Sequence, residues 1–191
     1  TGAGTASAPL ILALVAPYSP TATGVRFFIN GVETTTKGVD VVASYRMPTD
    51  TMGEFTFTAS GNVNNTDVTK TPTTPQLSAL PVPPILFPDN RVLEFERSTP
   101  AYKASLSLDW TGGAFGGTLR GTQYGGVLIP QAAPNLAATW RQDAAFIVDA
   151  EARAKFDKIG LAVGANNLLD TYPTKAPDRV NNINVYSNGA T

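Results

Sequence analysis

The stretch Tyr102-Lys103-Ala104-Ser105-Leu106-Ser107-Leu108-Asp109-Trp110 alternates between apolar and polar side chains along its whole length. Successive side chains of a β-strand point to opposite faces of the sheet, so this period of two predicts a strand with one apolar and one polar face. Spacing typical of a helix is nearly absent from the rest of the chain. The stretch therefore favours an all-β fold.

The same alternation recurs in five further segments, which gives about six strands. They are Val39–Arg46, Glu54–Asn62, Phe115–Arg120, Ala145–Phe156 and Ile159–Ala165. The segment Ala145–Phe156 is rich in helix-forming residues, but only as a strand does it place all of its charges on one face. Because the connections lack crossover helices, we expect the strands to be antiparallel.

Short and long connections follow one another in strict order. The short ones are Met47–Gly53, Thr111–Gly113 and Asp157–Lys158, and the long ones are Val63–Pro100, Gly125–Asp143 and the stretch after the sixth strand. Transmembrane barrels combine short periplasmic turns with longer extracellular loops, and strands of about 9 to 11 residues cross the hydrocarbon layer. The order predicts an antiparallel transmembrane β-barrel segment whose apolar face contacts membrane lipid.

Composition supports this prediction but leaves alternatives open. Hydrophobic residues make up 42% of the 191 residues and charged residues only 15%, against about 25% in typical soluble domains. Ser, Thr and Gly fill much of the polar face, which suits a sheltered lumen. A secreted or surface β-sandwich adhesion or carbohydrate-binding module would also alternate. A small closed eight-stranded barrel, with Val25–Asn30 and Val180–Ser187 as extra strands, is a third possibility.

Missing residue types exclude several kinds of chemistry. The chain has neither Cys nor His, which rules out thiolate and histidine metal sites and His-dependent triads. Its net charge of −1 argues against a nucleic-acid partner. The carboxylates Asp149 and Glu151 lie on the same strand and face with Arg153 and Lys155 alongside, so a glycosidase pair is not expected. We therefore predict no catalytic residue, no metal site and no cofactor.

Charged side chains on the polar faces suggest cross-strand ion pairs, each contributing roughly 0.2–1 kcal/mol. The alternative is that they line a transport pathway or anchor another part of the protein. The residues concerned are Lys103, Asp109, Arg120, Asp149, Glu151, Arg153 and Lys155.

Two motifs resemble segments of TonB-dependent outer-membrane receptors. The first is Arg26–Val41, in which an aromatic-Asn pair precedes a Thr-rich step and Gly-Val-Asp, and the second is Gly164–Pro173, with Asn-Asn-Leu-Leu-Asp-Thr-Tyr-Pro. We expect structural roles for these residues, because nothing in them is chemically aimed at a substrate. The motif residues are Phe28, Asn30, Thr36, Gly38, Val39, Asp40, Asn166, Asn167, Leu168, Asp170, Tyr172 and Pro173.

The resemblance implies part of a larger, 22-stranded barrel in the outer membrane of a Gram-negative bacterium. It implies a receptor, not an enzyme, that takes up a scarce bulky nutrient such as a metal chelate, cobalamin or an oligosaccharide. Its implied partners are membrane lipid, a plug domain of the same polypeptide, a TonB-type energising complex and a small-molecule ligand. We expect residues 1–25 to form a loop region, 26–167 the barrel strands and 168–191 a loop before a last strand that is missing here.

Overall fold

The computed structural model describes residues 31–79, 81–83, 85–130 and 139–175, with residues 9, 12, 13, 16–18 and 21 before them. The motif residues Phe28 and Asn30 lie outside the described residues. So do most of the expected loop region 1–25, residues 176–191, and the two extra strands of the small-barrel alternative.

From residue 31 onward, the described part of the chain contains eight strands and two short helices. In chain order they are β1 (Glu33–Thr49), β2 (Gly53–Lys70), α1 (Pro75–Ser78), α2 (Asp89–Arg97), β3 (Tyr102–Gly112), β4 (Phe115–Tyr124), β5 (Val127–Ile129), β6 (Trp140–Gln142), β7 (Ala145–Phe156) and β8 (Ile159–Ala165). None of the helices within these ranges has the length and apolar character needed to cross a membrane.

Six of the strands form one antiparallel sheet in the order β1-β2-β3-β4-β7-β8, and β5 pairs only with β6. Strands that follow one another in the sequence are also hydrogen-bonded neighbours in the large sheet. The one interruption is the β5–β6 pair, which is inserted between β4 and β7. The predicted all-β antiparallel fold is confirmed. The segment Ala145–Phe156 is a strand over its full length despite its helix-forming residues.

The register keeps every apolar set on the same face from β1 to β8. One row across the sheet illustrates this: Tyr45 pairs with Phe57, Phe57 with Leu108, and Leu108 with Leu119. The next row towards the short turns joins Phe55, Trp110 and Gly117. A shift of one residue in any pair would have moved a whole apolar set to the polar side, and between β1 and β8 the register shifts only at Glu33/Thr34.

The apolar face is not covered by a second layer of the described chain. Leu106 is 61% exposed, Leu161 60% and Val163 74%. None of Phe55, Phe57, Leu106, Leu108, Phe146, Val148 or Leu161 is buried. A β-sandwich would bury these side chains between two sheets. The exposed face therefore contradicts the sandwich alternative and fits a sheet that is wetted by lipid.

The apolar band is nine residues long in β1, β2 and β3, covering 39–47, 55–63 and 102–110. Tilted strands of about 9 to 11 residues cross the hydrocarbon layer. Beyond Val39 and Val63 the outward positions become polar, with Thr35, Lys37 and Asn65. The band therefore marks the membrane-spanning part of the sheet.

Three parts of the predicted connections are ordered instead. The expected loop Val63–Pro100 begins as strand, because β2 continues to Lys70 opposite a β1 that already starts at Glu33. It also contains α2, and the connection Gly125–Asp143 contains β5 and β6. Alternation could not reveal the hairpin extension because both of its faces are polar and an aqueous hairpin needs no apolar side.

Buried residues cluster at the loop end of β4 and β7. Among the described residues, the buried ones are Thr122, Gly125, Val127, Pro130, Gln142 and Ala145. The loop insertion is tied to α2 by Ser98, whose hydroxyl donates to the Leu128 carbonyl at 2.7 Å. Glu96 of α2 accepts the Val68 backbone N–H at 2.9 Å, where β2 has no β3 partner. The long connections therefore pack together at one end of the sheet.

A pair of neighbouring valines tests which face meets lipid. Val41 is on the apolar face and Val42 on the polar face, and both are more than half exposed. We expect Val41→Arg to lower the free energy of unfolding in a lipid bilayer by about 1–4 kcal/mol, because a lipid-facing charge is costly in proportion to its depth. Val42→Arg should stay within about 0.5 kcal/mol of the parent. Equal losses for the two variants in equilibrium unfolding would contradict the assignment of the faces.

Candidate functional site

The polar face carries rows of hydroxyl groups that bond across neighbouring strands. Thr36 and Thr66 Oγ1 atoms lie 2.8 Å apart, and Ser60 and Ser105 Oγ atoms also lie 2.8 Å apart. Each pair comes from directly opposed positions of adjacent strands, where side chains on one face are close. The hydroxyl groups are hydrogen-bonded to each other, and because Ser and Thr side chains are short, the face stays open.

Charge on this face is balanced. Along the strands between the β1–β2 turn and the level of Asp40, five acidic and five basic side chains share it. They are Asp40, Glu54, Asp109, Asp149 and Glu151, and Arg46, Lys103, Arg120, Arg153 and Lys155. The described wall therefore offers no excess of positive charge towards an anion.

A depression of about 500 Å³ lies on the polar face of β3, β4, β7 and β8. Its lining includes Asp109, Arg120, Asp149, Glu151 and Arg153, so carboxylates outnumber guanidinium groups. Arg153 contacts Glu151 at 3.4 Å and reaches Asp109 at 3.8 Å across β4. The charged groups of Arg153, Asp109 and Glu151 are partly exposed, so each of these ion pairs contributes at most about 1 kcal/mol to stability.

The expected cross-strand ion pairs are present only in part. Asp109 also accepts a hydrogen bond from the Thr118 hydroxyl at 2.6 Å, which fixes the carboxylate that Arg153 approaches. Within the described residues, Arg120 and Lys155 form no ion pair. Lys103 instead lies over the ring of Tyr124, 4.9 Å from its centre.

A row of four polar side chains crosses the polar face at its loop end. The register pairs Asp40 with Asn62, Asn62 with Lys103, and Lys103 with Tyr124. Asn62 Nδ2 donates to Asp40 Oδ1 at 2.6 Å, and Asn64 Nδ2 donates to Asn62 Oδ1 at 2.9 Å. We call Asp40, Asn62, Lys103 and Tyr124 the rim row. Sequence reasoning named Asp40 and Lys103 individually but missed the row, because its four strands are aligned by a register that only the sheet reveals.

The first motif lies in β1 where the apolar band ends. Gly38 faces Asn64, and a Cβ atom at Gly38 would lie 2.8 Å from the Val63 carbonyl oxygen, so only glycine fits. Thr36 bonds Thr66 one step further out, and Val39 is the first outward apolar residue. Asp40 is part of the rim row.

The second motif forms the turn that ends β8. Asn167 has φ +53° and holds Thr171 through two bonds: its Nδ2 donates to the Thr171 carbonyl at 3.0 Å and its Oδ1 accepts the Thr171 N–H at 2.9 Å. The Asn167 N–H donates to Asp149 Oδ1 at 3.0 Å, and the Leu168 N–H to the Val148 carbonyl at 2.6 Å. Asp149 on β7 thus anchors the turn to the wall.

The remaining motif residues surround that turn. Asp170 also has positive φ, +53°, and its N–H donates to the Asn167 carbonyl at 2.9 Å. Asn166 borders the depression, and Leu168 and Tyr172 are exposed. Pro173 follows Tyr172, where no backbone N–H is needed for a sheet. The motif thus ends β8 in a turn whose backbone stays bonded to β7.

Aromatic side chains gather on the apolar face beside the short turns. The rings of Phe55 and Trp110 lie 6.5 Å apart, and those of Phe115 and Phe156 lie 5.9 Å apart. Trp110 Nε1 donates to the Met52 carbonyl in the β1–β2 turn at 2.7 Å. Such girdles mark membrane–water interfaces in barrels.

One titratable pair sits at the open end of the β1–β2 hairpin, away from its turn. Lys70 Nζ donates to Glu33 Oε1 at 2.9 Å. This hydrogen bond, and then the charge attraction, raise the pKa of Lys70 above its usual value. Any stabilisation from the pair is therefore present while Lys70 is protonated and is lost as the pH rises through its raised pKa.

The described residues give little support for a metal site or for free carboxylates in the depression. Nowhere in the described ranges do three or more His, Cys, Asp or Glu side chains group so as to hold a metal ion. The carboxylates of the depression are instead committed to Arg153, Thr118 and the Asn167 backbone.

The two adjacent asparagines of the second motif provide a matched test of the turn. Asn167→Ala removes two side-chain hydrogen bonds from a left-handed position that Asn favours, so we expect local stability to fall by about 1–3 kcal/mol. Asn166→Ala removes no side-chain bond found in the described structure and should have an effect within about 0.5 kcal/mol. Hydrogen exchange at the Leu168 and Thr171 amides reports the loss. Equal protection in both variants would show that Asn167 does not hold the turn.

Comparison with known proteins gives one match. A family model described as TonB dependent receptor-like, beta-barrel, matches residues 10–168, which include all eight strands. No curated protein and no solved structure shows significant similarity to the chain. The chain therefore belongs to the TonB-dependent receptor β-barrel family, whose members are receptors and transporters of the Gram-negative outer membrane and not enzymes.

Proposed function

We propose that this chain forms part of the wall and extracellular loops of a receptor for active uptake of a scarce bulky nutrient. The nutrient is of the metal chelate, cobalamin or oligosaccharide type. A plug domain of the same polypeptide closes the barrel, and a TonB-type complex supplies the energy. Residues 26–167 provide the wall, and residues 168–191 a loop that leads towards a further strand.

The observation that carries the proposal is the separation of the connections. The turns β1–β2, β3–β4 and β7–β8 all lie at one end of the sheet, and α2 and the β5–β6 pair lie at the other. In outer-membrane barrels the short turns are periplasmic and the long loops extracellular. The turn end is therefore the periplasmic end and the loop end faces the medium.

The packed loops support a role in binding. Loops held by a rigid scaffold carry binding residues more often than walls do. Here α2 is joined to β2 through Glu96 and to β5 through Ser98. A loop layer held by such bonds presents fixed groups to a ligand before it enters the lumen.

Most motif residues have structural roles in this proposal. Asn167 and Asp170 form the turn, and Gly38 permits the close approach of β2. The Asn167 side-chain amide is used by the Thr171 backbone, which supports a role in shaping the wall. Asp40 differs from these, because its carboxylate lies on the polar face and bonds another side chain.

Cysteine labelling tests the orientation, because the chain has no cysteine of its own. Thr99→Cys is exposed just before β3 at the loop end, and Asp50→Cys is exposed in the β1–β2 turn. In the complete receptor on intact cells, a membrane-impermeant maleimide should label Thr99→Cys at once. Asp50→Cys should react only after the outer membrane is permeabilised. The receptor without an introduced cysteine gives the background, and the reverse labelling order would refute the proposed orientation.

Transport assays test the activity itself. We expect a strain lacking the receptor to lose uptake of one ligand among ferric chelates, cobalamin and oligosaccharides. The same uptake should disappear when the TonB-type complex is deleted, since the proposal requires energy. Uptake that persists without the complex, or a deletion strain with unchanged uptake of all three classes, would contradict active transport.

A further inference from the structure

The rim row is placed where an entering ligand would first meet the wall. Its four side chains come from β1, β2, β3 and β4 at one level of the polar face, beside the loop end. Adjacent strands are about 4.8 Å apart, so the row extends over roughly 15 Å. This length suits a ligand larger than a single small metabolite.

The polar groups of the row are fixed before any ligand binds. Asp40 and Asn64 both hold Asn62 through hydrogen bonds of 2.6 and 2.9 Å. These bonds leave the second carboxylate oxygen of Asp40, the second N–H of the Asn62 amide and the carbonyl of Asn64 open, with no other partner in the described structure. Lys103 keeps its N–H donors while its ammonium group lies over Tyr124. Side chains that are already held in place lose less conformational entropy when a ligand binds to them.

The chemistry of the row points to one class of ligand. An acceptor at Asp40 is followed by donors at Asn62 and Lys103, and the aromatic ring of Tyr124 ends the row. A sugar hydroxyl is both a donor and an acceptor, and Tyr combines an apolar ring with a polar tip. The charges of Asp40 and Lys103 cancel, so the row is neutral overall.

The described wall suits an anionic chelate or an apolar macrocycle less well. An anionic chelate would be attracted by a surplus of Arg and Lys, but the charges of the polar face balance and the depression is acidic overall. A flat apolar macrocycle would need broad apolar contact, whereas the rim row offers one aromatic side chain.

We infer that the rim row of Asp40, Asn62, Lys103 and Tyr124 is a binding site for a neutral oligosaccharide. This inference rests on the proposed function, because it requires the loop end to face the medium and the polar face to line the lumen. Asn62 is the central residue: it bonds Asp40 and Asn64 and lies beside Lys103 in the register.

Asn65 provides a matched control for Asn62. It lies on the same strand and likewise donates from its amide to an aspartate, Asp67, at 2.8 Å. The register, however, places it on the outward side of the hairpin, opposite Lys37. Replacing either asparagine removes an exposed Asn–Asp bond, and only Asn62 belongs to the rim row.

The test uses the complete receptor purified in detergent. It is applied to an array of neutral oligosaccharides, and the tightest ligand is titrated calorimetrically, with ferric citrate and cyanocobalamin as comparison probes. We expect oligosaccharide binding, an affinity roughly tenfold or more weaker in Asn62→Ala, and a change below about twofold in Asn65→Ala. Heat-modifiable electrophoretic mobility confirms that both variants are folded.

Two results would overturn the inference. One is the absence of any array ligand, and the other is an Asn62→Ala receptor that binds oligosaccharide as tightly as Asn65→Ala. Energy-dependent uptake of a ferric chelate or cobalamin, without oligosaccharide binding, would refute the rim row as a sugar site and leave the proposed receptor function intact. Failure of the cysteine labelling would instead remove the proposed function itself.

Discussion

The structure depends on an unbroken antiparallel register that keeps the alternating apolar sets of six strands on one face. Backbone groups in a membrane must be hydrogen-bonded within the protein, which a sheet can do only by pairing each strand with its neighbours. Lipid then selects the side chains that face outward. The row from Tyr45 through Phe57 and Leu108 to Leu119 shows this selection acting on four strands at once. A one-residue slip anywhere would expose hydroxyl and charged groups to lipid.

The other face follows from the same constraint. Once lipid holds the apolar side, the opposite side is available for Ser, Thr, Asn and charged residues, and its bonds run across strands as in Ser60–Ser105 and Asn62–Asp40. Its charges balance, and Arg120 has no ion-pair partner among the described residues. Such a wall can bind through hydrogen bonds without attracting ions of either sign. Outside the lipid layer the constraint ends, and there β1 and β2 are polar on both faces and the loops build a small packed region of their own.

Some elements of the fold could be predicted from the sequence and others could not, for physical reasons. Ala145–Phe156 was predicted as a strand because its charges share a face only at a period of two, and the structure confirms it. The extension of β2 to Lys70 escaped prediction because a two-sided polar hairpin lacks the apolar signal on which alternation depends. The helix α2 escaped because it covers a strand edge through Glu96 instead of burying an apolar stripe. Ion pairs were expected along the polar face; among its described residues they form between Arg46 and Glu54 and around Arg153, whereas Arg120 and Lys155 form none.

By itself, the sequence determined the number of membrane-level strands, the face that each side chain occupies and the alternation of short and long connections. These properties are local: they depend on the order of apolar and polar residues and on turn residues next to them. Only the tertiary structure decided which residues of different strands stand side by side. The rim row and the contact of Asp149 with the Asn167 turn depend on register between residues that are up to 41 positions apart in the chain, as for Asn62 and Lys103. Register is set by pairing over the whole sheet, and no single strand contains that information.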